Sequence, residues 1–339
     1  MHRVCSGNWD RVGDLFMANL MSGKGMYIWL IPDCEGGNYQ TIAQAAVAAG
    51  IKHVVIKVAD RHYDYNVVND VDLAAELAPV LKAAGIQVWG WQYTYGTSPE
   101  AEGVKGAQRA LQVGVEGFIV DAESEYKTAG GVAKATAYMD ALLDGLVLAP
   151  IPVGLASYRY PSLHPEFPWA AFRYRLDFDM PQVYWEQAHN PAEQLRQSYD
   201  EFQAMIPQLS YIPTGAAYKV GAWSSTPDDV TRFLEEAVAM DLQAANFWEW
   251  GRTKLYVPEL WPAIAAYPWP EAIMLPKLIQ IKSSNNVGIR DKPGGAAFSI
   301  AFKGWQFRPM EAVEDANGKL WYNLGPGWVP ATNVTVVEP

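Results

Sequence analysis

The sequence predicts an α/β fold, a (β/α)8 TIM barrel followed by a small all-β barrel, and three observations carry that prediction. Eight apolar, β-rich runs recur along the first 267 residues, with helix-like segments between them. These runs are almost continuously apolar instead of alternating with polar residues, the pattern of parallel strands covered on both faces. Past a proline-rich stretch the rhythm changes to short strands broken by turns, as in a separate small β domain. The length of 339 residues fits this division, because a barrel of this kind takes about 250 residues.

The predicted strands are 26–31, 53–59, 86–95, 117–122, 152–158, 178–185, 209–217 and 244–250. Helices over 39–49, 71–84, 99–113, 132–143, 191–206 and 227–240 connect them, and 258–266 supplies a closing helix. The fifth crossover, 159–177, holds Pro161, Pro165 and Pro168, which remove backbone donors and predict an irregular loop. Eight units favour closure over an open sheet, and no GxGxxG turn follows the first strand, which argues against a nucleotide-binding fold. The boundaries follow: an N-terminal extension over 1–25, the barrel over 26–267, a Pro-rich linker over 268–276 and the β domain over 277–339.

Composition narrows the function. A formal charge of −11 without any block of Lys or Arg argues against nucleic acid and anionic membrane as partners. Fourteen Trp and eighteen Tyr offer flat apolar faces with polar edges, which suit sugar rings. No window reaches the roughly 18 apolar residues of a membrane span, and the N-terminus lacks the apolar core of a standard export signal. Cys5 and Cys34 are expected to be free thiols. The histidines His2, His53, His62, His164 and His189 show no ligand spacing, so neither a metal nor an organic cofactor is expected. No GxSxG turn supports a serine triad.

Sites in such barrels lie at the C-terminal strand ends, and here those ends are rich in acids and aromatics. Asp121 and Glu123 stand two apart at the end of the fourth run, so both side chains leave the same face of the strand. Two acids on one rim are the minimum equipment for cleaving a glycosidic bond. Glu123 is expected to protonate the leaving oxygen, its affinity for protons raised by Asp121 and by dry aromatic walls, while Asp121 stays ionised and assists. Gln182 and Tyr184 share a face of the sixth run and are expected to hydrogen-bond a substrate acetamide or to stabilise an intermediate's charge. Trp29, Asp33, Lys57, Trp91, Tyr93, Glu125, Tyr158, Trp185, Glu186, Tyr218, Trp248 and Glu249 complete the expected substrate-binding rim. Lys57 interrupts an apolar strand and needs a carboxylate, with Asp121 or Asp33 as the expected partner. Glu249 reads either as a second catalytic carboxylate or as the partner of Arg252 or Lys219.

Two resemblances add to this reading. Val287-x-Ile-Arg-x-x-Pro293, Lys303-Gly304, Trp321-Tyr322 and Gly327-Trp-Val329 resemble the bacterial SH3-like domains appended to cell-wall enzymes, which implies a wall-facing setting. Val55-Ile-Lys-Val-Ala, Trp91-x-Tyr93 and Val120-Asp-Ala-Glu123 resemble the family 25 lysozymes and related barrel muramidases, in which the strand-four Asp-x-Glu bears the catalytic glutamate. That Asp-x-Glu, with Met180-x-x-x-Tyr184, is also similar to chitinase-type barrels that use the substrate's own acetamide as nucleophile. The chain departs from both patterns: Trp29 stands where family 25 places a first-strand aspartate, and only the last Asp-x-Glu of the longer chitinase motif is present. The resemblances imply a monomeric, lysozyme-like hydrolase of peptidoglycan or a related N-acetylated polysaccharide such as chitin. They also imply extracellular or cell-wall action, with delivery of the kind used by phage endolysins. The competing reading is a non-catalytic carbohydrate-binding protein with a degenerate barrel.

Overall fold

Eight of the ten parallel strands of the main sheet can be traced to apolar runs in which odd and even residues face opposite ways, and the other two arise where a proline breaks a run. The computed structural model describes residues 20–270, 278–283, 286–307, 309 and 311–338. Cys5, residues 1–19 of the expected extension and residues 271–276 of the expected linker lie outside the described residues. The chain divides into two units, Met1–Pro270 and Glu271–Pro339.

In the first unit the strands are β1 (Gly23–Ile28), β2 (Ile51–Asp60), β3 (Gln87–Thr94), β4 (Phe118–Ala122), β5 (Val153–Ala156), β6 (Phe178–Asp179), β7 (Gln182–Val183), β8 (Ser210–Tyr211), β9 (Thr214–Ala216) and β10 (Ala244–Trp248). Parallel ladders join β1 through β6 in sequence, then β6 to β8, β7 to β9, β9 to β10, and β10 back to β1. The sheet is thus a curled parallel barrel in which the sixth and seventh runs are each split. Pro181 and Pro213 cause the splits, because proline has no N–H to donate. Their carbonyls still bind the ladder: Thr214 N–H donates to Pro181 O and Asn246 N–H to Pro213 O, each at 2.9 Å.

Helices α1 (Tyr39–Ala48), α2 (Leu73–Ala83), α3 (Pro99–Val113), α4 (Gly131–Leu146), α5 (Trp169–Arg173), α6 (Pro191–Gln203), α7 (Pro227–Ala239), α8 (Trp250–Tyr256) and α9 (Leu260–Ala266) connect and follow the strands. The fifth crossover, read as an irregular loop, contains the short α5 after its prolines. Its Arg173 is fully buried and grips Asp179 of β6, also fully buried, with Nη2 to Oδ2 at 2.8 Å and Nε to Oδ1 at 3.0 Å. α8 was not anticipated, because the run 244–250 reads on through its first residue.

Strand alternation makes two cores. Ile28, Val54, Ile56, Val58, Val88, Phe118, Val120, Leu155 and Val183 face the helices. Tyr27, Val55, Trp89, Trp91, Ile119, Phe178, Met180, Ile212 and Ala244 fill the barrel interior, with Trp29, Tyr93 and Trp248 packed on them. Trp89 can lie across the interior because Gly117 has no side chain: a Cβ there would sit 1.9 Å from the indole.

The second unit is all-β. Its strands are β11 (Leu278–Ile281), β12 (Val287–Arg290), β13 (Ala297–Ala301), β14 (Gln306–Phe307), β15 (Glu311–Glu314), β16 (Leu320–Asn323), β17 (Trp328–Pro330) and β18 (Val334–Glu338). They pair antiparallel in two small sheets, β14-β11-β18 and β13-β12-β17-β16-β15. Ile279, Ile281, Val287, Ile289, Tyr322 and Val329 form their core.

The Arg173–Asp179 pair yields a stability prediction. Arg173→Met strands a buried aspartate, so it should cost about 3–5 kcal/mol, on the order of 10 °C in Tm. Thermal unfolding by circular dichroism checks this, and the double variant Arg173→Met, Asp179→Leu should recover most of the loss.

Candidate active site

At the C-terminal end of the barrel, β4 delivers Ile119, Asp121 and Glu123 to the interior face in succession. Ser157 Oγ donates to Ala122 O at 2.8 Å, fixing the strand end between the two acids. Gln182 is held beside them because its backbone N–H donates to Ser157 O at 2.9 Å. From there its Nε2 donates to Asp121 Oδ1 at 3.1 Å and to Glu123 Oε1 at 2.9 Å. One amide nitrogen therefore bridges both carboxylates.

Asp121 is 5% exposed and Glu123 only partly exposed. Burial, then the neighbouring Glu123 carboxylate, pushes Asp121 well above the usual carboxylate range, while Lys57 and the Gln182 amide work against the rise. Burial also raises Glu123; the Gln182 hydrogen bond opposes the shift, Glu125 adds to it and Lys127 opposes it. The expectation of a permanently ionised Asp121 therefore gives way to a pair in which the deeper acid is the one pushed up more strongly. The physical reason is that Asp121 loses solvent on every side.

The surrounding aromatics divide by strand parity. Trp248 lies 5.8 Å from Trp29, 5.3 Å from Tyr27 and 5.4 Å from Trp91, ring centre to ring centre, so the four form one interior stack. Trp29 and Trp248 are partly exposed at the top of this stack. Trp91, expected on the rim, is 2% exposed and donates from Nε1 to Ile28 O at 3.2 Å, so it is a floor residue. Trp185 is also corrected. It shares parity with Val183, faces the helices, packs on Phe233 and donates to Ser225 Oγ at 3.2 Å.

Tyr184 stays on the mouth side with Gln182. Its carbonyl accepts a close hydrogen bond from Arg159 Nη1, and its ring meets Tyr218 edge-on at 5.5 Å. Tyr218 donates to Glu186 Oε1 at 2.5 Å, leaving Glu186 exposed beyond it. Across the mouth, Tyr93 donates to Glu125 Oε2 at 3.0 Å. Tyr158 stacks on His164 at 3.7 Å and lies 4.0 Å beneath the Lys127 ammonium.

Three charged expectations change. Lys57 pairs with Asp60 at 2.6 Å, not with Asp121 or Asp33, because the two residues leave the end of β2 together. Asp33 is exposed on the short turn Ile31–Asp33. Glu249 is buried as the N-cap of α8, accepting from Arg252 N–H at 2.7 Å and Gly251 N–H at 3.2 Å, which is its structural employment in place of an ion pair. Among the described residues no group of three or more His, Cys, Asp or Glu side chains is gathered as metal ligands would be.

Several positioning residues escaped the sequence reading. Asn66, in a left-handed turn, donates to Trp29 O at 3.0 Å and Lys57 O at 2.9 Å, tying the first two strand exits together. Tyr65 accepts from Trp29 Nε1 at 2.8 Å. Glu102 is buried, yet the hydroxyl of Thr94 and the N–H groups of Ser98, Tyr95 and Gly96 outweigh its desolvation and hold its carboxyl below the usual range. That network shapes the loop after Tyr93. Only the turn-like run Tyr65-Asn-Val-Val-Asn-Asp70 gave any sequence signal.

The fold is shared with solved glycosidases. The class V chitinase of Nicotiana tobaccum superposes with a TM-score of 0.54 at 11% identity, over 73% of this chain and 99% of that one. The family GH18 chitinase of Cycas revoluta in complex with allosamidin gives 0.53 at 11% identity, over 72% and 98%. The spore cortex-lytic enzyme SleL of Bacillus megaterium gives 0.50 at 10% identity, over 72% and 73%. These likenesses establish a common barrel fold. No family model matches the chain, and no curated protein matches it in sequence.

The buried pair has a linkage consequence. Its folded-state proton affinity exceeds that of the unfolded chain, so its contribution to stability is full at low pH and is lost as pH rises through the raised values. Asp121→Asn should therefore stabilise the protein at neutral pH by about 0.5–2 kcal/mol, with the gain shrinking toward pH 4. Chemical denaturation across pH measures it.

Proposed function

We propose that this protein is a glycoside hydrolase of the (β/α)8 TIM-barrel type acting on an N-acetylated polysaccharide, with Glu123 as general acid and base. The observation that carries the proposal is the Gln182 bridge between Asp121 and Glu123, a desolvated pair of acids at the mouth of an aromatic-lined barrel. The fold likeness supports it, since one of the superposed proteins is a class V chitinase of Cycas revoluta in complex with (GlcNAc)3.

In this reading Glu123 gives its proton to the departing glycosidic oxygen. The carbonyl oxygen of the substrate's acetamido group attacks the anomeric carbon as the C–O bond breaks, giving a cyclic oxazolinium ion. Asp121, Gln182 and the Tyr184 hydroxyl orient that acetamide and balance its developing positive charge. Glu123, now ionised, takes a proton from the water that opens the ring, so the anomeric configuration is retained. Glu249, the other carboxylate open to a direct nucleophile's role, caps a helix instead, so the substrate's acetamide takes that role. We read the second unit as an SH3-like module that holds the enzyme on cell-wall material; its two antiparallel sheets and compact core support that role.

Glu123→Gln should lower turnover by about 10²–10⁴-fold without destabilising the fold at neutral pH. Reducing-end release from chitin oligosaccharides and from purified peptidoglycan measures it and separates the two substrates. Binding of either glycan without any release by the wild-type protein would overturn the hydrolase proposal in favour of a carbohydrate-binding role.

A further inference from the structure

We propose that Lys57 is a positioning residue for the acid pair: its ammonium, held in the barrel wall in the layer of Asp121, draws the pair's proton toward Glu123. This deepens the glycosidase reading and rests on Glu123 being the acid.

The geometry begins with strand register. Lys57 lies opposite Trp91 and Trp91 opposite Ile119, so the Lys57 backbone is one layer below Asp121. Asp60, by contrast, lies opposite Tyr93, which lies opposite Asp121. Because Lys57 Nζ reaches up to Asp60 Oδ2 at 2.6 Å, its charge is lifted into the layer of Asp121. It cannot swing away. Its side chain is 5% exposed, and the rings of Tyr65, Trp91 and Trp29 surround the ammonium at 4.3, 4.8 and 5.5 Å.

Asp60 is 27% exposed, so water shares the work of balancing its charge, whereas Asp121 is sealed. Asp121 is faced by Glu123 from its own strand, Glu125 from the following turn, Gln182 and Tyr184 from the β7 exit, Tyr27 from β1, Tyr93 from β3 and Tyr158 from the β5 exit. The carboxyl groups in that set, Glu123 and Glu125, bring no positive charge to Asp121. Lys57 is the cation that offsets them, and its field favours an ionised Asp121. By working against the burial that raises Asp121, Lys57 shifts the shared proton toward the outer acid, Glu123, where a departing oxygen can collect it.

The test is the pH–rate profile of the wild type, Lys57→Met, Lys57→Arg and Asp60→Asn on the glycan that the wild type cleaves. Lys57→Met should move the acid limb to higher pH by about one unit. Lys57→Arg should leave it in place, and Asp60→Asn, which frees the ammonium from its ion-pair partner, should move it lower. A uniform rate loss with unmoved limbs would overturn the proposal. If Lys57→Met does not fold, the direction of the Asp60→Asn shift decides. Should the wild type cleave nothing, the glycosidase reading fails, and the Lys57–Asp121 coupling is still measured by a thermal-unfolding cycle with Asp121→Asn. The coupling predicts that Lys57→Met lowers Tm at pH 8 more when residue 121 is aspartate than when it is asparagine. Equal losses in both backgrounds would overturn it.

Discussion

Two carboxylates that share one amide donor at the aromatic-lined mouth impose the constraint around which this barrel is arranged. Asp121 and Glu123 cannot both carry full charge there at low cost, since Asp121 is buried, Glu123 is only partly exposed and Gln182 offers a single nitrogen to both. A proton is therefore retained at pH values where exposed acids have lost theirs. That is the property a general acid needs, and it arises from placement, not from any unusual residue.

The rest of the unit can be understood as holding that placement. Ser157 locks the β4 end, and the Ser157 carbonyl in turn seats Gln182. Arg159 holds the carbonyl of Tyr184, and Ser198 Oγ donates to the Arg159 carbonyl at 2.6 Å, carrying the restraint back to α6. On the other side, Arg109 donates from Nε to Val58 O at 2.9 Å and from Nη2 to Asp72 Oδ1 at 2.9 Å, anchoring the excursion that brings Tyr65 and Asn66 over the first two strands. The arginine contacts among these are charge-assisted, and together with the serine hydrogen bonds they hold the mouth while sparing its own acids from serving as structural links.

Much of this was legible in the sequence for a simple reason: apolar runs and period-two alternation are geometric facts of strands. They located the eight runs, and they placed Asp121 with Glu123 and Gln182 with Tyr184 on common faces. The same rule, applied to Trp185, would have turned it toward the helices with Val183; its misplacement on the rim came from counting it as strand exit. Trp91 deceived differently. Parity put it inside the barrel, but depth along the strand, which decides between floor and mouth, depends on how neighbouring strands are staggered. Lys57 found Asp60 because a local partner on the same strand end costs less chain ordering than a distant one. Glu249 shows the remaining limit: a carboxylate between tryptophans looks like chemistry until the helix beginning at Trp250 supplies N–H groups for it to cap. In the second unit the turns and aromatic pairs marked four strands, while β11, β14, β15 and β18, short and mixed in polarity, carried too little pattern to stand out.

Site-resolved carboxyl titration of the unliganded protein by carbon-13 NMR tests the central claim most directly. The account predicts that Asp121 and Glu123 titrate as a coupled pair, with the upper step well above the ordinary carboxylate range and each signal moving when the other ionises. Two independent transitions near the model-peptide values of about 4 would contradict it.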